Sequence, residues 1–267
     1  MERLRETKTK KEIKEIKLVC SKSMKTLHKI QDELNSDSTK TVEDIMWFIE
    51  EQRVNSRMSM AYPPIIIPSM TSSLMESNEF HPVVPGNVPI HTNDYVLIDC
   101  GFKSPNGMTC DITEMIPVGT PPQYMKKFVN IVEYLCNYAI TQAREGMLFK
   151  TLEQIVNEEM KRKFIEYLKE YVEVPNNMYN NISNINPQPG KIVLQPHSLG
   201  HTVGYGVHDV NSTVLKKNSA LALEPGIYVK RGMHECINKF LDKFDINYLG
   251  ARCERVGIMS SKCELCQ

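Results

Sequence analysis

The spacing of apolar residues divides the chain into two strand-rich parts with helices between and before them. Over residues 10–34, apolar side chains recur every three or four positions with charged residues between them, which predicts an amphipathic helix. A polar break at residues 35–38 precedes a second predicted helix over residues 41–55. The prolines and isoleucines of residues 62–68 then favour an edge strand or an irregular strand.

A β-hairpin is predicted after this segment. Residues 95–99 form a short apolar run that ends in Asp99, which is typical of a buried strand. The Ser-Pro-Asn-Gly sequence at residues 104–107 is a strong turn signal, and the chain is expected to return along residues 108–116 with Asp111 on the second strand. Two aspartates therefore come from adjacent antiparallel strands.

The remaining pattern completes an α+β fold class. Residues 121–172 carry two helical patterns, and the asparagine-rich residues 173–190 are predicted as a loop. Residues 191–261 are again strand-rich, with Glu224 beside a Pro-Gly turn and Glu254 on a predicted strand. We predict a single domain over residues 1–267, with N-terminal helices at 1–60 and the first strand half, containing the hairpin, at 61–120.

Charge and hydropathy exclude several classes of protein. Thirty-two basic and thirty-two acidic residues cancel, so the chain as a whole offers no electrostatic case for nucleic acid or an anionic membrane as a partner. No apolar run approaches the length of a membrane span, and the N-terminus lacks the apolar core of a signal peptide. A cytoplasmic protein with reduced cysteines is expected, and the single CxxC of Cys263 and Cys266 is weak evidence for zinc.

Three of the seven histidines lie within residues 197–209, HSLGHTVGYGVHD, interleaved with three glycines. Any one of them alone could be a core or turn residue. Histidine is also the commonest metal ligand and the side chain that titrates near neutral pH, so three together favour a functional site.

Four carboxylates also lie at or within predicted strands: Asp99, Asp111, Glu224 and Glu254. Singly, each could be a cap, a turn residue or half of an ion pair. Converging in the interior, they would repel one another unless divalent cations neutralised them. With one imidazole they form an oxygen-rich shell that suits manganese, cobalt, iron or zinc, and a dinuclear centre of this kind can activate water and polarise a carbonyl.

The settings LIDCG, CDIT, HSLGH, LEPGIY and GARCE, in this order, resemble the pita-bread-fold metallopeptidases, the family of methionine aminopeptidase, aminopeptidase P and prolidase. The residues that carry the resemblance are Asp99, Asp111, His201, Glu224 and Glu254. The similarity extends over residues 5–261, so a pita-bread fold with curved antiparallel sheets around a dinuclear site is expected.

The resemblance also implies a role for each ligand. Asp99 would bind one metal ion, His201 and Glu224 the other, and Asp111 and Glu254 would bridge both. Glu224 would also act as general base. The implied cofactor is two divalent ions, manganese first, with cobalt or zinc as alternatives.

Within the family, His197 and the VHDV sequence at residues 207–210 resemble aminopeptidase P and prolidase. In that subgroup His197 and Arg252 would line the pocket for a proline ring, and His208 would contact the scissile peptide and assist proton transfer. His81 falls where the family has a substrate-contacting histidine. An X-Pro bond has no N–H for recognition, so contacts around the ring and the amino terminus must position it.

The sequence departs from the family pattern at three places near the ligands. Asp99 and Asp111 are twelve residues apart where eleven is usual. Glu114 stands where arginine is common, and Arg255 stands where an acidic residue usually follows the last ligand. The departures put the surroundings of the ligands in doubt more than metal binding. The subgroup's usual N-terminal domain is also expected to be absent.

The leading hypothesis is a metal-dependent Xaa-Pro aminopeptidase that acts on peptides with proline second. A prolidase, which cleaves Xaa-Pro dipeptides, and a methionine aminopeptidase-like enzyme are alternatives. A non-enzymatic pita-bread module that binds a peptide or protein is the alternative from another class. The expected partners are Xaa-Pro peptides, with neither nucleic acid nor membrane, and a homodimer is considered.

Overall fold

Helices and short antiparallel strands combine in an α+β architecture. The computed structural model describes residues 6–36, 39–72, 87–183, 191–210 and 213–266. The helices are α1 (Lys10–Ser36), α2 (Val42–Asn55), α3 (Gln123–Gln142), α4 (Phe149–Lys169), α5 (Met178–Asn181) and α6 (Glu235–Lys243). The strands are β1 (Ser59–Met60), β2 (Ile65–Ile67), β3 (Asp94–Asp99), β4 (Phe102–Lys103), β5 (Thr113–Val118), β6 (Ile182–Ser183), β7 (Ile192–Val193), β8 (Gly200–Thr202), β9 (Ala220–Leu223), β10 (Gly226–Lys230), β11 (Tyr248–Arg252), β12 (Arg255–Met259) and β13 (Cys263–Leu265).

The first half is organised around β3, the central strand of an antiparallel sheet with the order β2-β3-β5. Every residue of β3 is buried. Because successive side chains of a strand point to opposite faces, Val96 and Ile98 join the apolar cluster of α1 and α2, whereas Tyr95 and Leu97 join that of α3 and α4. The continuous apolar run at residues 95–98 therefore reflects a sheet covered on both faces.

The second half contains a four-stranded antiparallel sheet with the order β13-β12-β9-β8 and a separate antiparallel pair, β10 and β11. An isolated antiparallel bridge between Thr113 and Glu254 connects this half to β5 of the first half. The backbone N–H of Glu254 donates to the carbonyl of Thr113 at 3.1 Å. The two halves thus meet at a predicted metal ligand.

The predicted helices agree closely with the observed ones. α2 begins after Thr41, whose side chain accepts from the backbone N–H of Asp44, while the Asp44 side chain accepts from Thr41 in return. This capping box satisfies backbone N–H groups that the first helical turn leaves unpaired. None of the helices in the described ranges has the length and apolar character needed to cross a membrane.

Three local predictions differ from the structure. Asp111 lies two residues before β5, and Glu254 lies between β11 and β12, so neither is inside a strand. The predicted loop at residues 173–190 contains α5 and β6, because Met178 and Ile182 are buried in the main core. Two isolated apolar side chains are enough to anchor this segment, although its asparagine-rich composition gives no periodic signal. Residues 184–190 lie outside the described residues.

Candidate metal centre

The two aspartates approach each other at the end of the hairpin where the loop joins β3 to β5. Asp99 is the last residue of β3 and pairs in register with Thr113, while Asp111 lies just before β5. The phenol oxygen of Tyr62 lies 2.5 Å from Oδ1 of Asp99 and 2.5 Å from Oδ1 of Asp111. One buried hydroxyl therefore joins both carboxyl groups.

His201 and Glu224 come from the second half. His201 lies on β8, and its neighbour Gly200 approaches β9 so closely that a Cβ there would lie 2.0 Å from the carbonyl oxygen of Ala222. Glu224 directly follows β9, and its backbone N–H donates to the carbonyl of Leu199 at 2.8 Å. The close pairing of β8 and β9 places the side chains of His201 and Glu224 beside each other.

The His201 imidazole lies among three carboxyl groups. Its Nε2 atom is 3.4 Å from Asp111 Oδ2, 3.6 Å from Glu254 Oε1 and 3.8 Å from Glu224 Oε1. Glu254 Oε1 is buried without a hydrogen-bond partner in the described part of the chain, whereas Glu254 Oε2 accepts from the Thr113 hydroxyl at 3.0 Å. A buried anionic oxygen without a donor is suited to a cation.

Three overlapping groups of side chains have ligand atoms within 4.8 Å of one another. They are Asp99, Asp111 and Glu254; His201, Glu224 and Glu254; and Asp111, His201 and His208. Glu254 belongs to the first two groups, as expected of a carboxylate between two ions. The five sequence-predicted ligands are thus brought together, and their oxygen-rich donor set fits hard or borderline divalent metals.

Burial and mutual repulsion shift the charges of these groups. Burial raises the pKa of Asp99 to about 6, partly offset by Arg252, and burial with the nearby Glu254 raises the pKa of Asp111 to about 7. Burial and Glu254 also raise the pKa of Glu224 well above its usual value. Burial lowers the pKa of His201, but the adjacent carboxyl groups of Asp111 and Glu254 outweigh burial and raise the pKa to about 11. Mutually repelling carboxyl groups of this kind gain stability from bound cations.

Arg252 contacts Asp99 and Thr113 in the interior of the site. Its guanidinium bonds to Asp99 Oδ2 and donates from Nε to the Thr113 hydroxyl at 3.2 Å, and its side chain is only 5% exposed. The expected role of Arg252 in lining a pocket for a proline ring stays a prediction.

The other predicted substrate residues lie at the edge of the site or outside the described residues. His197 Nδ1 lies 3.6 Å from Glu224 Oε2, and its ring packs edge-on against Tyr228. Burial, reinforced by Arg252, lowers the pKa of His197 to about 4, so it is a neutral imidazole. His208 is exposed, with its ring centroid 4.0 Å from that of His201. His81 lies outside the described residues.

Tyr62 and Thr113 are two residues of the site that sequence reasoning missed. Thr113 is the last residue of the CDIT motif, so the sequence already placed it close to a predicted ligand. Tyr62 is linked to the site through β2, because Ile65 pairs with Asp99 and the chain just before Ile65 must pass the aspartates. That pairing was visible only once strand register was known.

Two of the three departures from the family pattern contact each other in the structure. They are Glu114 and Arg255. Arg255 Nη2 lies 2.5 Å from Glu114 Oε1, and both side chains are largely buried. An acidic residue after CDIT and a basic residue after the last ligand thus compensate for one another electrostatically. Each residue departs from the family pattern, but together they form an ion pair near the ligands.

The eight cysteines are all buried and free. None of them, including Cys263 and Cys266, belongs to a group of three metal-ligating side chains in the described ranges. The zinc alternative for the CxxC pair gains no support.

Comparison with known proteins connects this geometry to a family. The sequence profile of metallopeptidase family M24 matches residues 12–258, which include all five clustered carboxyl and imidazole groups. The chain belongs to metallopeptidase family M24. The expectation drawn from the five motifs is confirmed at this level.

Curated relatives within family M24 include peptidases named for X-Pro bonds. The Xaa-Pro dipeptidase of Pyrococcus furiosus is 28% identical over 235 residues, which is 85% of this chain and 58% of that protein. A probable Xaa-Pro aminopeptidase of Emericella nidulans is 27% identical over 143 residues, 53% of this chain and 29% of that protein. This chain therefore spans little more than half the length of the dipeptidase.

Solved structures of M24 peptidases share the fold. Aminopeptidase P from E. coli, solved with the inhibitor Pro-Leu, has a TM-score of 0.77 and 18% identity, covering 99% of this chain and 57% of that one. The X-Pro aminopeptidase of Thermotoga maritima has a TM-score of 0.72 and 20% identity, covering 99% and 63%. The predicted pita-bread α+β fold is confirmed.

Proposed function

We propose that this chain carries the catalytic site of a metal-dependent Xaa-Pro aminopeptidase, which releases the N-terminal residue from peptides with proline second. The supporting observation is the set of three overlapping ligand groups from both halves of the fold, one of which includes the exposed His208. A purely structural ion-pair cluster would not need three acidic side chains around one imidazole.

Two divalent ions fit this arrangement. Asp99 would hold one ion, His201 and Glu224 the other, and Asp111 and Glu254 would contact both. Bound there, the ions supply Lewis-acid polarisation of a carbonyl and a water of lowered pKa. Manganese is the proposed metal, with cobalt or zinc as alternatives.

Glu224 has the position expected of a general base. It lies between β9 and β10, and at 15% its side chain is more exposed than the 7% of Asp111 or the 2% of Glu254. A carboxyl group that water can reach is able to accept a proton from an attacking water. Its Oε2 atom faces His197, so that neutral ring can orient the carboxyl group.

The histidines and Arg252 have the remaining proposed roles in substrate binding and proton transfer. His208 is the exposed imidazole beside His201, where it can contact a scissile peptide and move a proton to the leaving proline nitrogen. His197 would help to form the wall of the proline pocket. Arg252 would line that pocket with His197, and its guanidinium also holds Asp99. His81 stays a sequence-based proposal for substrate contact.

The direct test is hydrolysis of an X-Pro-Y tripeptide and an X-Pro dipeptide with manganese, cobalt or zinc added to metal-free protein. Metal-dependent release of the first residue from the tripeptide supports the aminopeptidase. Cleavage of neither peptide with any metal would rule out both X-Pro activities.

A prolidase is the second candidate, and the 28% identity to the Pyrococcus furiosus dipeptidase favours it. Cleavage restricted to the dipeptide identifies this activity, and release of an initiator methionine would identify a methionine aminopeptidase-like enzyme instead. A binding module without catalysis would show fewer than one bound ion per chain at saturating metal. Cytoplasmic location and a homodimer stay predictions.

A further inference from the structure

The ion pair of Glu114 and Arg255 extends to the backbone that carries the metal centre. Besides the bond from Nη2 to Glu114, Nη1 of Arg255 donates to the carbonyl of Glu254 at 2.8 Å and to the carbonyl of Thr113 at 3.1 Å. One guanidinium thus holds both strand segments at the Thr113–Glu254 bridge. A planar group with several fixed donors can make these bonds simultaneously.

Side-chain alternation places this pair on the reverse side of the metal centre. Thr113 and Glu254 direct their side chains to each other and to His201, so the next residues, Glu114 and Arg255, face the opposite way. There they border a cavity of about 390 Å³ between α1, β5 and α3. The cavity leaves room for solvent or for altered side chains at these two positions.

We propose that Glu114 and Arg255 act together as positioning residues that fix the Glu254 carboxyl group for metal binding. The Glu114 carboxyl group orients the guanidinium of Arg255. The guanidinium in turn holds the backbone carbonyls of Glu254 and Thr113. Glu254 in turn contributes to two of the three ligand groups, so a small rotation there affects both proposed ions. The proposal rests on the metal site of the proposed function.

The buried setting makes the charge complementarity specific. Arg255 and Glu114 are both largely buried, so the charge of each is compensated mainly by the other. Glu133 is a second carboxyl group near the pair, and its pKa is raised by burial and by Glu114. Reversal of Arg255 alone would therefore place three carboxyl groups together, whereas simultaneous reversal of Glu114 restores a pair.

The test is a reciprocal charge exchange measured by calorimetric Mn²⁺ binding to metal-free protein. The single variants Glu114→Arg and Arg255→Glu are expected to bind Mn²⁺ about 10- to 100-fold more weakly than wild type, the range for residues that orient metal ligands. The double variant with both reversals is expected to stay at least about 10-fold weaker than wild type, because a carboxylate at position 255 restores the charge balance but cannot donate to the two carbonyls. Glu235→Arg and Lys239→Glu reverse an exposed ion pair on α6 and serve as the matched control.

Two results would overturn the inference: single reversals that are folded and bind with wild-type affinity, or a folded double variant that binds with wild-type affinity although it lacks the donors at position 255. If the single reversals fail to fold, Arg255→Lys decides. Lysine keeps the charge beside Glu114 but lacks the planar fork, so weaker Mn²⁺ binding at an unchanged melting temperature supports the inference and unchanged binding refutes it. Wild-type protein that binds no metal would contradict the metal site itself, whereas tight wild-type binding leaves the positioning role as the only claim at risk.

Discussion

At the residue scale, the three histidines of residues 197–209 have separate environments that the sequence could not distinguish. His201 is buried among carboxyl groups, His197 is a largely buried neutral ring beside Glu224, and His208 is exposed. Only His208 combines access to solvent with proximity to the ligand groups. A proton-transfer role is therefore best tested there.

His208→Ala is expected to lower kcat by about 100-fold, the usual contribution of one general acid–base group. The measurement is turnover of an X-Pro-Y tripeptide at saturating Mn²⁺, with metal stoichiometry determined on the same sample. His91→Ala removes an exposed histidine that belongs to none of the ligand groups and should retain full activity. Undiminished turnover in His208→Ala would remove the proton-transfer role.

Tyr62→Phe tests the hydroxyl that joins the two aspartates. Loss of a buried hydrogen bond to a charged group costs about 1.5–3 kcal/mol, so Mn²⁺ affinity should fall by about 10-fold or more. Tyr205→Phe, on an exposed tyrosine, is the matched control. An unchanged Mn²⁺ affinity in Tyr62→Phe would show that the aspartates are placed by the strands alone.

At the element scale, the segment before α1 anchors the loop that carries His208. Lys8 Nζ lies 3.2 Å from Asp209 Oδ2, and both side chains are almost fully buried, at 2% and 1% exposure. The same carboxyl oxygen accepts from the backbone N–H of Tyr205. Gly204 makes this packing feasible, since a Cβ there would lie 2.1 Å from Asp209 Oδ2. The first described residues are thus part of the site's support.

Lys8→Met is expected to lower the free energy of unfolding by about 3–5 kcal/mol, because it leaves the buried Asp209 carboxyl group unpaired. Urea denaturation followed by circular dichroism measures the loss. Lys10→Met, at an exposed position only two residues away, should change stability little. Equal stabilities of the two variants would refute a structural role for the pair.

The sequence predicted elements better than it predicted contacts. Periodicity located α1 to α4 and the β3–β5 hairpin, since each has a long or strongly apolar pattern. It could not place Asp111 and Glu254 outside the strands, because strand ends depend on pairing with distant residues. The Glu114–Arg255 contact joins residues 141 positions apart, and no local pattern encodes such a pair.

At the scale of the whole molecule, the proposed metal ligands come from both halves of the fold. Asp99 and Asp111 belong to the first half, whereas His201, Glu224 and Glu254 belong to the second. Ions bound between them would link the halves and neutralise carboxyl groups that repel one another. Metal should therefore stabilise the entire fold and not only the site.

Addition of Mn²⁺ to metal-free protein is expected to raise the unfolding free energy by about 2.7 kcal/mol when free metal reaches 100 times its Kd. Thermal melting across a Mn²⁺ titration measures this, and EDTA should reverse it. Asp111→Asn removes a charge shared by two of the ligand groups and should abolish most of the gain, whereas Asp242→Asn, on a 58% exposed side chain of α6, should retain it. A melting temperature independent of Mn²⁺ in the wild-type protein would mean that the carboxyl cluster does not hold this metal. An equal gain in the Asp111→Asn variant would mean that metal binds elsewhere.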